Sequence, residues 1–177
     1  GNTGTLASTN FLGTTDNQDL VFKTNNTEYL RLKTFGGLFT LNNFRSTSLG
    51  EFASGEFQSG TSYTYNVALG YAAGYPITSG NRNTLIGGFS GRYMTTARRN
   101  VAVGYYSLFS LTTGEQNVAI GREALRQITT GVHNVAIGDE SLQNLSTYHG
   151  RNVSIGRLAL GDMTDGEYNS IIGFQTG

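Results

Sequence analysis

The sequence predicts a mainly β fold built as a repeat β-solenoid, and three observations predict it. The first is a motif, Asn-x-x-φ-Gly with φ apolar, beginning at Asn66, Asn83, Asn100, Asn117, Asn134, Asn152 and Asn169. The intervals are all 17 residues except for one of 18, between Asn134 and Asn152. A fixed short period marks a stacked array in which each repeat contacts only its neighbours. The second is composition: 177 residues contain 25 Gly but 1 Pro, only 14% charged residues, and 10 Tyr plus 10 Phe. Such a chain is rich in aromatic and β-branched residues and so does not have the make-up of a disordered one. The third is the alternation inside each motif, which has the period of a short strand.

Numbered from its asparagine, each repeat carries an aliphatic residue at position 4 (Leu69, Ile86, Val103, Ile120, Ile137, Ile155, Ile172) and glycine at position 5. Position 8 is small, position 12 apolar, and position 13 Thr or Ser. An earlier, degenerate copy of 20 residues starts at Ser46, with Ser46-Thr47-Ser48-Leu49-Gly50 in the register of Asn-Val-Ala-Ile-Gly. Residues 46–177 are therefore read as a β-solenoid of one degenerate and seven 17-residue repeats, the last incomplete, and residues 1–45 as an N-terminal β-rich module. The absence of an initiator Met and of a signal peptide suggests a fragment or processed product.

Within a coil, positions 1 to 5 form the strand, with the larger side chains of positions 2 and 4 expected to face inward. Glycine at position 5 marks a corner where a Cβ is unwelcome. Positions 8, 9 and 12, as in Ala124, Leu125 and Ile128, have helical spacing, and Glu123, Asp139 and Glu140 sit just ahead, where a helix N-terminus favours acids. The coil is thus one short strand plus a helical turn, or alternatively a second strand. Stacking at about 4.8 Å per coil places the seven asparagines in one column. There their amides form a structural ladder, or alternatively a row of ligand-binding groups.

Each coil has few apolar positions against the conformational entropy of ordering 17 residues. Association of several chains side by side would supply the missing burial, so a homo-oligomer is expected.

The Asn-Val-Ala-Ile-Gly column resembles the head repeats of trimeric autotransporter adhesins, which recur on a shorter period. The longer form, Gly-x-x-Asn-Val-Ala-Ile-Gly-x-x-Ala-Leu-x-x-x-Thr-Thr-Gly, looks more like bacteriophage tail fibres and related bacterial surface proteins. The segment from Asn10 to Leu32 resembles the β-rich module that precedes such repeats. The resemblance implies a parallel homotrimer, an extracellular place on a virion tail fibre or bacterial cell surface, and attachment to a host or cell-surface glycan or receptor. The period of 17 departs from the autotransporter heads, so the handedness of their roll does not carry over.

A search for chemistry excludes more than it finds. Lys+Arg and Asp+Glu both number 12, which removes the electrostatic term for nucleic-acid binding. No apolar run is long enough for membrane insertion. There is no cysteine, no Ser-His-Asp arrangement independent of the repeat and no phosphate loop of the Gly-x-x-x-x-Gly-Lys type. His133 with His149, and the acidic loop of Asp162, Asp165 and Glu167, were the candidate metal ligands; their spacing fits exposed loops better. No cofactor, no metal and no catalytic residue is expected, and the chain is read as not an enzyme.

One surface feature breaks the repeat. In the first three full repeats, columns 6, 7, 10 and 11 hold Tyr71, Tyr75, Phe89, Tyr93, Tyr105, Tyr106 and Phe109, with Arg82, Arg92, Arg98 and Arg99 nearby. In the next three the same columns hold Arg122, Glu123, Arg126, Asp139, Glu140 and Arg157. The aromatic stripe suits packing between chains, or a sugar-binding platform with arginines donating to hydroxyls or acidic sugars. The expected function is a structural segment of an attachment fibre, with a self-assembling extracellular filament as the alternative and a glycan-active enzyme domain ranked below both.

Overall fold

A computed structural model describes residues 20–24, 27–32, 46–50, 52–53, 65–146 and 150–177. The chain divides into two compact units, Gly1–Leu41 and Asn42–Gly177. In the first, β1 (Leu20–Thr24) and β2 (Thr27–Leu32) pair antiparallel, Leu20 opposite Leu32, with a register shift between Phe22 and Lys23. The rest of the sequence assigned to the N-terminal module lies outside the described residues.

The second unit is a β-solenoid. Eight three-residue strands follow one another, one per coil: β3 (Thr47–Leu49), β4 (Val67–Leu69), β5 (Thr84–Ile86), β6 (Val101–Val103), β7 (Val118–Ile120), β8 (Val135–Ile137), β9 (Val153–Ile155) and β10 (Ser170–Ile172). They form one parallel sheet in strict sequence order. Equivalent positions pair directly, as in Val101 with Val118, Ala102 with Ala119 and Val103 with Ile120. The degenerate first coil joins this register, since Thr47 pairs with Val67. Each strand bonds on both sides: Val118 N–H donates to Asn134 O at 2.8 Å, and Gly121 N–H to Val103 O at 2.8 Å.

The strand faces the opposite way from the sequence expectation. Position 3 points inward, with Ala68, Leu85, Ala102, Ala119, Ala136 and Ser154 fully buried. The asparagines of position 1 are buried beside them. Positions 2 and 4 point outward; Ile86 and Ile120 are 37% and 38% exposed. Period-2 alternation separates two faces without saying which is inside. Here the polar face wins, because every buried amide finds partners. Asn117 N–H and Nδ2 both donate to Asn100 Oδ1, at 2.9 and 3.1 Å, and Nδ2 also donates to Gly131 O at 2.8 Å. The same pattern runs from Asn66 through Asn83, Asn100, Asn134 and Asn152 to Asn169. At the foot of the ladder Ser46 Oγ takes the role of the amide oxygen and accepts Asn66 N–H. Of the two readings of the asparagines, these bonds are those of the structural ladder.

No helical turn follows the strand among the described residues. Positions 7 and 9 instead take left-handed backbone, as in Tyr106 (φ 58°), Leu108 (φ 48°), Glu123 (φ 58°) and Leu125 (φ 50°). Alternate left-handed residues cannot build an α-helix. They turn successive N–H groups toward different coils: Glu123 N–H donates back to Tyr105 O, whereas Leu125 N–H donates onward to Ser141 O. The inward direction of positions 8, 9 and 12 nevertheless matches expectation, with Ala124, Leu125 and Ile128 fully buried.

Two further columns have clear causes. A Cβ on Gly87, where φ is +124°, would lie 2.7 Å from Gly104 O of the next coil, so close stacking excludes any side chain. At position 13, Thr112 O accepts the N–H groups of Thr95, Thr96 and Ala97, and the Thr95 hydroxyl as well. A hydroxyl there closes one coil onto the next, which explains Thr or Ser at that position.

Candidate functional site

The aromatic columns meet on the solenoid surface. Left-handed position 7 aims Phe89 and Tyr106 beside the position-6 rings of Tyr71 and Tyr105, and coil stacking brings successive rings into contact. Phe89 and Tyr106 lie parallel, 6° apart, with centroids 5.0 Å apart. Tyr71 and Tyr105 stand steeply to Phe89, at 5.1 and 5.9 Å. Tyr106 meets Phe109 at 4.6 Å, and Phe109 meets Tyr93 at 5.0 Å. Stacked and edge-to-face contacts of this kind satisfy the ring quadrupoles and hold the rings in place. Tyr71 and Tyr105 are 46% and 48% exposed. The Tyr105 hydroxyl is held protonated to higher pH than usual, first by its hydrogen bond with Tyr106 and then by slight burial.

The structure brings all seven aromatic candidates into a connected surface, Tyr75 joining through an Arg92 guanidinium that lies 4.6 Å from its ring and 5.0 Å from Tyr93. Arg92 also donates to Tyr75 O at 3.0 Å, so it braces the rings. Arg98 and Arg99 are drawn to Glu115 instead, at 3.3 and 3.8 Å.

Three contributors escaped the sequence reading. Phe52 meets Tyr71 and Tyr75 edge-on at 5.8 and 6.2 Å; numbering the degenerate coil from Ser46 already puts it at position 7. Arg126 covers Tyr106 and Phe109 from 5.5 and 6.0 Å, a contact between columns 7 and 10 that one-column reading hides. Gly88 stands at position 6, between Tyr71 and Tyr105; a Cβ there would lie 3.3 Å from the Tyr105 ring, so its absence lets that ring lie against the coil.

Beyond Arg126 the surface becomes an ion-pair network. Arg122 pairs with Asp139 at 2.9 Å and Glu123 at 2.7 Å, and also reaches Glu140. Arg157 approaches Asp139 at 3.5 Å, and Arg126 binds Glu123 at 3.2 Å. Hydrogen bonds from Asp139 and Glu140 hold the Arg122 guanidinium still more firmly protonated than usual. Every one of these carboxylates is matched by a guanidinium.

His133 is exposed and His149 lies outside the described residues. Among the described residues no three His, Cys, Asp or Glu side chains converge on a metal position, Asp162, Asp165 and Glu167 included. No helix of the described residues is long and apolar enough to cross a membrane. The arrangement offers apolar ring faces bordered by tyrosine hydroxyls, a surface suited to binding.

Comparison with protein-family models, with curated proteins and with solved structures finds no match. The fold and the surface therefore define a class, the parallel β-solenoid repeat proteins, on their own geometry.

Proposed function

We propose that this chain is a segment of a homotrimeric attachment fibre, displayed outside the cell or on a virion tail, that binds a cell surface through its aromatic patch. One observation carries the reading: the outward aliphatic ladder. Val67 and Leu69, Val101 and Val103, Val118 and Ile120, Val135 and Ile137, and Val153 and Ile155 are left partly exposed on one face of the sheet. Soluble proteins seldom leave a continuous apolar strip of this length uncovered. Its rungs repeat at about 4.8 Å, a pitch that another copy of the same chain, aligned parallel, reproduces. Three-fold closure covers the strip on every chain and leaves none over, unlike an open filament. Rod-like stacking then presents the aromatic patch repeatedly around the fibre, so that weak contacts add through multivalency.

Light scattering on the purified chain tests this. A species of three times the 19.0 kDa chain mass is expected. A folded monomer at micromolar concentration would end the fibre reading, and an open concentration-dependent polymer would favour a self-assembling filament instead.

A further inference from the structure

We propose that the exposed rings of Tyr71 and Tyr105, seated on Phe89, form a binding site for an uncharged, β-linked pyranose chain. The inference rests on the attachment reading and names the ligand class of that same surface.

Periodicity separates what builds the fibre from what decorates it. The aliphatic ladder recurs from coil to coil along the solenoid, as any device for packing chains along their length must. The aromatic cluster does not recur. It spans Phe52 to Phe109, and the same columns then switch to Arg122, Glu123, Asp139 and Glu140. A local, exposed aromatic patch on an otherwise repetitive rod is surplus to assembly and has the character of a recognition surface.

The rings are also fixed before any ligand arrives. Phe89 is stacked on Tyr106 and flanked by Tyr71 and Tyr105, while Gly88 gives Tyr105 its seat. Preorganised aromatic rings lose little entropy on binding.

The charges decide which sugar. Arg92 is committed to Tyr75, Tyr93 and a backbone carbonyl, and Arg126 to Glu123 and two rings. The guanidiniums at the margin are thus already engaged, and an acidic sugar would meet Glu123 beside them. What remains is ring face and phenol. A pyranose with equatorial substituents presents C–H groups on its faces and hydroxyls at its rim, matching ring centres and tyrosine hydroxyls respectively.

The test titrates the assembled chain with cellohexaose and with chitohexaose, using a heparin hexasaccharide as the acidic comparator, and follows calorimetry together with tyrosine fluorescence. Saturable binding of a neutral hexasaccharide is expected, with little salt dependence. Tyr71→Ala and Tyr105→Ala should each weaken it about tenfold or more, the scale of a lost aromatic anchor. Gly88→Val should weaken it by displacing Tyr105 while light scattering still reports the wild-type assembly. Tyr168→Ala, an exposed tyrosine in another column, should leave it unchanged. Silence of both neutral probes at millimolar concentration, binding of the heparin probe alone, or binding that survives both tyrosine substitutions overturns the proposal. A trimer that ignores these sugars loses the glycan site alone. A monomer that binds them loses the fibre reading alone.

Discussion

Leu85 fills the space beside Gly74: a methyl group built on Gly74 would fall 2.6 Å from Leu85 Cδ1. In the neighbouring coils position 3 is alanine and position 9 leucine, as in Ala102 with Leu108 and Ala119 with Leu125. Around Leu85 the sizes are exchanged, since Gly74 and Gly91 both occupy position 9. One leucine thus does for two coils what one leucine per coil does elsewhere. Close-packed interiors impose such exchanges, because volume must be conserved locally.

This exchange predicts a compensating pair. Leu85→Ala should cost about 2 to 5 kcal/mol by leaving a cavity. Gly74→Leu alone should cost about 1 to 3 kcal/mol by overpacking. The backbone itself tolerates leucine there, since Leu108 and Leu125 hold φ near the +65° of Gly74. The double variant should therefore be more stable than the sum of the singles by about 0.5 to 3 kcal/mol, read from denaturant melts. Strict additivity would mean that the two sites do not share one volume.

Breaking the amide ladder should be costly at one residue. Asn117→Ala leaves Asn134 N–H and Nδ2 without their shared acceptor and Gly131 O without its side-chain donor. Each buried group so stranded costs about 1 to 3 kcal/mol. Asn117→Asp preserves the acceptor for Asn134 but turns an oxygen toward Gly131 O. Burial and that facing oxygen should raise the new carboxyl above its unfolded value of about 3.9. Its neutral form is the compatible one, so stability should be greatest below about pH 4 and fall as pH rises through the raised value. A pH-independent melting temperature for this variant, measured relative to wild type, would contradict that geometry.

Neighbouring residues on β7 should respond oppositely to the same substitution. Ala119 is fully buried, so Ala119→Asp places a carboxylate inside the coil and should unfold the surrounding coils together. Ile120 points outward, so Ile120→Asp should cost a chain about 1 kcal/mol at most in strand preference. Circular dichroism should then report a folded Ile120→Asp solenoid, while light scattering reports smaller particles than wild type. Unfolding by Ile120→Asp with Ala119→Asp tolerated would restore the inward placement of position 4.

The Arg122–Asp139–Arg157 column gives a smaller effect. Asp139→Arg replaces two attractions, at 2.9 and 3.5 Å, with three like charges in line. Exposed pairs contribute only about 0.2 to 1 kcal/mol each, so the melting temperature should fall modestly. The fall should be larger at low ionic strength, where screening is weak. An identical fall at all salt concentrations would assign it to something other than charge.

What could be read beforehand follows from what a period can carry. Asn66 to Asn169 recur at one spacing, and a recurring residue in a stacked chain must line up with itself; hence the coils, their register and the asparagine column were all legible. The aromatic surface was legible for the same reason, residue by residue, once columns were drawn. Phe52 and Arg126 were missed because their contacts cross columns. The engagement of Arg98 and Arg99 by Glu115 was missed because it joins neighbouring coils at the loop, where spacing alone does not reveal side-chain direction.

By itself, then, the sequence determined a stacked parallel solenoid beginning at Ser46, with glycine at each corner and threonine or serine at each closure. The tertiary structure alone decided which face of the strand is inside and how the chain turns after it. Both decisions are collective. An asparagine is buried at low cost only when the coil below offers Oδ1 and its own coil offers a carbonyl, as Asn100 and Gly131 do for Asn117. Left-handed residues such as Glu123 and Leu125 are tolerated only because coils on either side accept their N–H groups. Neither bond exists within a single repeat, so an isolated repeat favours the aliphatic core and the helical turn that the stack replaces.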